Sequence, residues 1–189
     1  MPGIRPLAIA LLHRLQGLPG YRRLGRRLAA PRLTLRETTP ADDLAVHRWL
    51  NPQDAAAPVP QRNPAATHWV AEVDGRLAGI VQLVRHPPEH FPYTGYWLFG
   101  LTIKHGWRGL GVGAALSQAV LTRARAEGAP DLKLVVLADN TPAIRLYRKL
   151  GFEPYPLPAV EAPAGLRRLV LRKLLAETTR ANAAEDIVT

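Results

Sequence analysis

Residues 107–115, Trp-Arg-Gly-Leu-Gly-Val-Gly-Ala-Ala, connect a predicted apolar strand to a predicted amphipathic helix. Glycines at 109, 111 and 113 let the backbone turn with its N–H groups pointing into one concavity. The helix that follows adds the positive end of its dipole, so the segment predicts an anion site suited to a pyrophosphate. Arg108 can add a charge-assisted hydrogen bond to such an anion.

Three other interpretations of these glycines have to be weighed. A dinucleotide-binding turn needs G-x-G-x-x-G, whereas Ala114 follows G-x-G-x-G here; an acid about 20 residues on, Asp131, keeps that alternative open. A Walker loop is excluded because the chain contains no Gly-Lys pair. A plain strand-to-helix turn, with glycines present only for close packing, also stays open.

A second segment with potential chemistry follows the next predicted strand, from Asn140 to Phe152. Tyr147 lies one helical turn after Ala143, whose small side chain leaves room for a thin ligand, and a tyrosine hydroxyl can protonate a leaving group. Each residue also has a purely structural interpretation. Asn140 could cap a helix, and Tyr147 could be a core aromatic residue with its hydroxyl at the rim.

Hydrophobic periodicity and turn residues predict seven strands and three helices around these segments. The predicted strands are residues 33–38, 68–73, 77–84, 96–103, 132–137, a short strand from Phe152, and 166–175. The predicted helices are residues 40–50, 112–128 and 141–151. Asp74-Gly75 predicts a hairpin turn, and the apolar strands 96–103 and 132–137 are expected to be buried, the first on both faces.

Taken together, the two segments resemble the GNAT superfamily of Gcn5-related N-acetyltransferases. Arg108-Gly-Leu-Gly-Val-Gly113 is similar to its acyl-CoA pyrophosphate loop, and Asn140-x-x-Ala143-x-x-Leu146-Tyr147-x-Lys149-x-Gly151-Phe152 to its second signature. The resemblance implies a single-domain α/β (α+β) fold: a mixed, mostly antiparallel sheet with splayed central parallel strands and helices on both faces. We expect an N-terminal arm at 1–31, the acetyltransferase domain at 32–175 and a polar tail at 176–189.

The resemblance also implies roles for individual residues. The strand residues Leu101, Thr102 and Ile103 would pair with the pantetheine arm of acetyl-CoA. The pyrophosphate would rest on the loop made of Arg108, Gly109, Leu110, Gly111, Val112, Gly113 and Ala114. Asn140 would hydrogen-bond the cofactor arm beside Ala143, and Tyr147 would protonate the departing CoA thiolate. Acetyl would pass directly to a primary amine, and no metal is implied.

The chain departs from the family pattern at the position of the usual catalytic base. Many members carry a glutamate in the central strand where this sequence has Phe99. Candidate replacements are His68, His86, Glu89, His90, His105 and Glu161, and sequence spacing singles out none of them. An acceptor that arrives partly deprotonated would need no strong base. A non-catalytic acyl-CoA sensor or scaffold, docked through the N-terminal arm, is the alternative function.

Loop composition is one indication of the acceptor; the amphipathic N-terminal arm is another, since it favours a lipid amine or an acyl group longer than acetyl. In the family, the acceptor is set by the loop after the first helix and the loop before the last strand, here residues 51–66 and 154–165. Both are rich in Pro and Ala and poor in charge, which disfavours polycationic acceptors. A peptide N-terminus, a small amino compound or an amphiphile fits better, and a homodimer is left open.

The charge of the chain is concentrated at its N-terminus. The 189 residues carry a formal net charge of +10, yet residues 1–36 hold eight arginines and no acid, so the remainder is nearly neutral and nucleic-acid binding is disfavoured. Two short basic amphipathic helices are predicted in this arm, which could pack on the domain or a second subunit, or contact an anionic membrane or acidic partner. No apolar run is long enough for a membrane span, and we expect a cytoplasmic protein, with membrane association left open.

Overall fold

A computed structural model describes residues 32–54, 56–157 and 167–175. The predicted N-terminal arm, most of the loop at 154–165 with Glu161, and the polar tail lie outside these residues, so the domain boundaries stay predictions. The strands are β1 (Leu33–Glu37), β2 (Ala66–Val73), β3 (Arg76–His86), β4 (Gly95–Ile103), β5 (Asp131–Leu137), β6 (Glu153–Pro154) and β7 (Arg168–Leu174). The helices are α1 (Asp43–Leu50), α2 (Val112–Ala126) and α3 (Thr141–Lys149), with 3-10 segments at Pro40–Asp42, Pro88–His90 and His105–Trp107.

The seven strands form one sheet in the order β1-β2-β3-β4-β5-β7-β6. β1 pairs antiparallel with β2 from Leu33↔Val73 to Glu37↔Trp69, and β5 pairs antiparallel with β7 along its whole length. β4 and β5 pair in parallel, in register at Trp97↔Lys133. The predicted mixed α/β fold, mostly antiparallel with central parallel strands, is confirmed.

The turn between β2 and β3 shows how local sequence sets the register. Asp74 and Gly75 both have positive φ, 50° and 72°, which is the backbone of the hairpin turn that an Asp-Gly pair favours. Asp74 also accepts a hydrogen bond from the Arg32 N–H through its carboxylate, at 3.1 Å. The predicted hairpin is therefore confirmed, and it fixes which faces of β2 and β3 carry apolar side chains.

Two compact units can be distinguished along the chain. The described part of the first comprises residues 32–54, 56–82 and 100–119. Its buried side chains come from β2, β3 and the first half of α2, and include Val70, Ile80, Val81, Val112 and Leu116. Gly79 lies in close contact with this core, since a Cβ added there would lie 2.6 Å from Cδ1 of Ile103 and 3.0 Å from Cδ1 of Leu116.

The second unit has its own core. Its described residues are 83–99, 120–157 and 167–175, and its fully buried side chains include Trp97, Leu121, Leu132, Leu134, Phe152 and Leu171. The side-chain amines of two lysines in this unit are hydrogen-bonded within the protein. The Lys133 Nζ donates to the Asp131 carboxylate at 2.6 Å and lies over the Trp97 ring, and the Lys173 Nζ donates to the Leu150 carbonyl oxygen.

Two burial predictions are wrong. β4 is buried only at Tyr96, Trp97 and Leu98, whereas Phe99 and Gly100 are exposed. β5 alternates between buried and half-buried positions and ends at the exposed Leu137, so the face that carries Lys133 and Val135 is only partly covered. The structure also places a 3-10 turn at Pro88–His90 in what the sequence indicates as a plain turn region. No helix of the described residues combines the length and apolar character that a membrane span requires.

Candidate functional site

The glycine-rich loop begins where β4 ends. A 3-10 turn follows Ile103, closed by a hydrogen bond from the Trp107 N–H to the Lys104 carbonyl at 2.8 Å. The Arg108 N–H then donates to the His105 carbonyl at 3.3 Å, so this first amide of the predicted loop is already used within the chain. Four turn residues later the chain enters α2 at Val112.

Open space surrounds the two glycines of the turn. Gly109 and Gly111 have φ of 78° and 82°, and a Cβ added at either would meet no atom within 4 Å. The Ala115 N–H donates to the Gly111 carbonyl at 3.0 Å, which makes residues 112–114 the first turn of α2. First-turn amides have no carbonyl one turn earlier to bond, so they are available to an anion at the positive end of the helix.

Arg108 is tied to the strand that precedes the loop. Its Nε–H donates to the Ile103 carbonyl at 3.1 Å, while the residue as a whole is exposed. This bond leaves the two terminal nitrogens of the guanidinium for a ligand, and it fixes the plane in which they lie. Leu110, at the tip of the turn, is 37% exposed and contributes an apolar surface beside the amides.

The carboxyl-terminal half of β4 leaves part of its backbone accessible. Gly100 has φ of 61°, which interrupts the regular strand, and the Thr102 hydroxyl donates to the Gly100 carbonyl at 3.2 Å. Leu101 and Ile103 are half-buried, and Thr102 is exposed. The Lys104 N–H donates to the Ala78 carbonyl at 2.9 Å, which holds the end of β4 against β3. An extended ligand can therefore approach residues 100–103 from solvent.

Asn140 caps helix α3. Its Oδ1 accepts a hydrogen bond from the Ala143 N–H at 3.3 Å, and its carbonyl accepts from the Ile144 N–H at 3.0 Å. The capping role that the sequence left open is thus present. It uses the side-chain oxygen and leaves the side-chain NH₂ as a donor, so a cap and a ligand contact are compatible in one asparagine.

Tyr147 lies on α3 with its ring in the core of the second unit. It is 6% exposed and packs edge-on against Phe152, with ring centroids 5.7 Å apart. Burial raises the pKa of Tyr147 to about 12. The phenol is consequently protonated throughout the physiological pH range, which is the form that a proton donor requires.

The predicted site residues fall into two groups, each assembled within one unit. Residues of the loop and of the end of β4 belong to the first unit, and Asn140, Ala143 and Tyr147 to the second. The candidate bases also belong to different units. The first unit contains His68 and His105, and the second contains His86, Glu89 and His90; Glu161 lies outside the described residues.

The loop at 51–66, which the sequence associates with the acceptor, is fixed by Arg62. Its guanidinium donates to the Asp43 carboxylate at 2.7 Å and to the Thr38 hydroxyl at 2.8 Å. It also donates to the Thr39 carbonyl at 2.5 Å. Burial lowers the pKa of the nearby His68, and the charge on Arg62 lowers it further. The charged side chain of Arg62 is therefore held by hydrogen bonds at, and just before, the start of α1.

Sequence reasoning missed a cluster of rings around Phe99. The ring of His86, the last residue of β3, lies 5.8 Å from that of Phe99, and its Nδ1 lies 3.1 Å from Nδ1 of His90. The sequence carried one signal for it, the four-residue spacing of these histidines around two prolines. No group of three or more His, Cys, Asp or Glu side chains in the described ranges could hold a metal ion.

Comparison with known proteins agrees with this geometry. A model of the Acetyltransferase (GNAT) family matches residues 27–152. Mycothiol acetyltransferase of Nocardiopsis dassonvillei is 32% identical over 133 residues, which cover 65% of this chain and 35% of that protein. This chain spans about 40% or less of the length of the first curated relatives that it matches.

Two solved structures share the fold. A GNAT-family acetyltransferase from Streptococcus pneumoniae superposes with a TM-score of 0.63 at 21% identity, covering 77% of this chain and all of that one. Arabidopsis thaliana NAA60, solved in complex with acetyl-CoA, superposes with a TM-score of 0.57 at 19% identity, covering 76% of this chain and 98% of that one.

Proposed function

Because this chain belongs to the GNAT acetyltransferase family, we propose that it is an N-acetyltransferase that moves acetyl from acetyl-CoA directly to a primary amine. The observation that carries this proposal is the open set of loop amides. Gly109 and Gly111 have open space where a side chain would lie, and a helix with unbonded first-turn amides begins directly after them. A doubly charged pyrophosphate is the group that such a cradle fits best.

In this proposal acetyl-CoA binds along the first unit as an extended ligand. The amides of residues 109–114 donate to the pyrophosphate, and the guanidinium of Arg108, oriented by its bond to Ile103, adds charge. The accessible backbone of Leu101, Thr102 and Ile103 pairs with the pantetheine amides. These contacts hold the thioester in place, and positioning of this kind supplies a large part of the rate in direct transfer reactions.

Residues of the second unit handle the leaving group. The NH₂ of Asn140 is free to donate to the pantetheine arm while its oxygen caps α3. Tyr147 gives its phenolic proton to the CoA sulfur as the carbon–sulfur bond breaks. Its raised pKa keeps the phenol protonated near pH 7, so the proton is present when the carbon–sulfur bond breaks.

We propose a peptide N-terminus, a small amino compound or an amphiphile as the acceptor. The loop 51–66 supports this choice because its only cation, Arg62, is committed to Asp43 and only Asp54 remains as a carboxylate there. A polycation would need several carboxylates for recognition. The sensor alternative has no support from the matched relatives, which bear the names of acetyltransferases.

Release of free CoA thiol from acetyl-CoA tests the proposal directly. The chain contains no cysteine, so its own side chains give no background in a thiol assay. We expect release that depends on one class of acceptor when peptides, small amines and amino lipids are supplied in turn. Acetyl-CoA binding by calorimetry without release from any class would contradict the enzymatic function and favour a binding role.

A further inference from the structure

β4 exposes a stretch of central strand where a reacting group could reach the sheet. This strand lies between β3 and β5, yet Phe99 is 38% exposed and the next residue, Gly100, has a positive φ. Phe99 also occupies the position where the family resemblance places a carboxylate base. The side chains of β4 from Trp97 to Leu101 are all non-ionisable, so any base here has to come from a neighbouring element.

His86 at the end of β3 is placed to supply that base. Its half-buried imidazole meets the Phe99 ring edge-on, with centroids 5.8 Å apart and planes at 82°, and meets the Trp97 ring at 6.5 Å. The two rings of β4 thus hold the imidazole beside the position of the missing carboxylate. Among the described residues, no other base candidate makes a ring contact with Phe99, and His90 reaches the cluster through His86.

The contact with His90 determines what His86 can do. The two Nδ1 atoms are 3.1 Å apart, a hydrogen-bond distance at which one imidazole must donate and the other accept. When His86 donates, its Nε2 carries a lone pair and is a proton acceptor. When Nε2 takes a proton, His90 still accepts from Nδ1–H, which keeps the His86 ring in the same orientation.

We propose that His86 is the general base of this acetyltransferase and that His90 is its positioning residue. The proposal rests on the transferase function proposed above. An acceptor R–NH₃⁺ gives one proton to His86 Nε2, and the neutral amine then forms a C–N bond to the acetyl carbon as the C–S bond breaks. The sulfur takes the phenolic proton of Tyr147. The acylated nitrogen then loses a second proton, which returns the Tyr147 phenolate to the phenol. The net products are the amide, CoA thiol and one proton, which His86 releases to water.

The surroundings of His86 favour its neutral form. β4 faces it with the uncharged rings of Trp97 and Phe99, and the 3-10 turn faces it with His90. Burial lowers the pKa of His86, and the charge on His90 lowers it further. Near pH 7 the imidazole is therefore free to accept a proton.

Two probe amines separate a base from a structural residue. 2-Phenylethylamine is protonated near pH 7 and needs a base, whereas aniline is already neutral. In the 189-residue chain we expect His86→Gln to lower kcat/KM for 2-phenylethylamine about a hundredfold and to change that for aniline by less than about threefold. Acetyl-CoA affinity should be unchanged. His105→Gln, which removes an exposed histidine, should keep the wild-type pH profile.

Two further variants are expected to change activity or its pH dependence in ways that a purely structural role of His86 and His90 would not produce. Phe99→Glu in the His86→Gln background restores a carboxylate at the family position and should recover activity toward 2-phenylethylamine. His90→Gln removes the neighbouring charge, so the acid limb of the kcat/KM profile should move to higher pH.

Equal losses toward both amines in His86→Gln, or an unmoved acid limb in His90→Gln, would overturn the proposal. If the wild-type protein bound acetyl-CoA but acetylated neither amine, it would lack the transferase activity toward simple amines on which this proposal rests. Nitrogen NMR of the imidazoles gives an acceptor-independent check. Independent titration of His86 and His90, with no shared Nδ1 proton, would also refute the pairing.

Discussion

Replacing Gly111 by alanine tests whether the loop amides bind the pyrophosphate. Gly111 has φ of 82°, and a Cβ there would meet no protein atom within 4 Å. The substitution therefore produces no clash, and its cost to the fold is that of the left-handed backbone alone, about 1–2 kcal/mol. For a chain of this size that cost corresponds to a fall in Tm of roughly 2–8 °C.

The expected effect on binding is larger than the effect on the fold. The new methyl group would project into the space over the amides and separate the phosphate oxygens from at least one N–H donor. A hydrogen bond to a charged group contributes about 1.5–3 kcal/mol, so Kd for acetyl-CoA should rise about ten- to a hundredfold. Gly111→Val, which is bulkier, should abolish binding.

Calorimetry with two ligands makes this prediction specific. S-acetylpantetheine lacks the pyrophosphate, so its affinity should be the same for Gly111→Ala and wild type. Gly106→Ala is the matched control, because Gly106 also has open space around it but has no positive φ and precedes the loop. Wild-type affinity for acetyl-CoA in Gly111→Ala would refute the placement of the pyrophosphate.

Three other perturbations have defined outcomes. Tyr147→Phe should lower kcat strongly with little change in Kd for acetyl-CoA, because it removes a proton and keeps the packing against Phe152; an unchanged kcat by thiol release would exclude the phenol as the acid. Gly79→Ala should lower the free energy of unfolding by about 1–3 kcal/mol in urea titrations, because its Cβ would lie 2.6 Å from Ile103 Cδ1 and 3.1 Å from the Thr102 carbonyl oxygen. Hydrogen bonds from Arg36 hold the pKa of Asp42 well below its usual range. The ion pair therefore stabilises the fold at pH values above the ordinary carboxyl pKa of about 3.9, and this stabilisation is lost as the pH falls toward the lowered pKa. Asp42→Asn should therefore flatten the acid side of the stability profile; a profile as steep as that of wild type, or the same flattening in the Asp54→Asn control, would contradict it.

Local signals in the amino-acid sequence are enough to predict most of the framework. The Asp74-Gly75 turn needs positive φ at both residues, and few other pairs adopt that backbone, so these two residues alone locate the hairpin. Helix α2 follows from its apolar spacing, and α3 begins at Thr141-Pro142, a favoured helix start. In both cases the determinants lie within a few residues of the feature that they specify.

The acid–base chemistry cannot be obtained in this way. His86 and Phe99 lie 13 positions apart, and only the pairing of neighbouring strands brings their rings together. Phe99 is exposed and lies next to the backbone break at Gly100, whereas an apolar run by itself predicts burial. Sequence spacing therefore yields a set of candidate bases, whereas selecting among them requires the fold.

The amines of Lys133 and Lys173 have a consequence for the chemical stability of a protein that holds an acetyl thioester. Four of the 25 basic residues are lysines, and these two are engaged with Asp131 and with the Leu150 carbonyl. Of the four, only Lys104 and Lys149 are exposed. Arginine stays protonated and is not acylated in water, whereas lysine amines are acetylation targets. The folded chain thus offers acetyl-CoA few lysine nucleophiles of its own, which limits self-acetylation as a competing reaction.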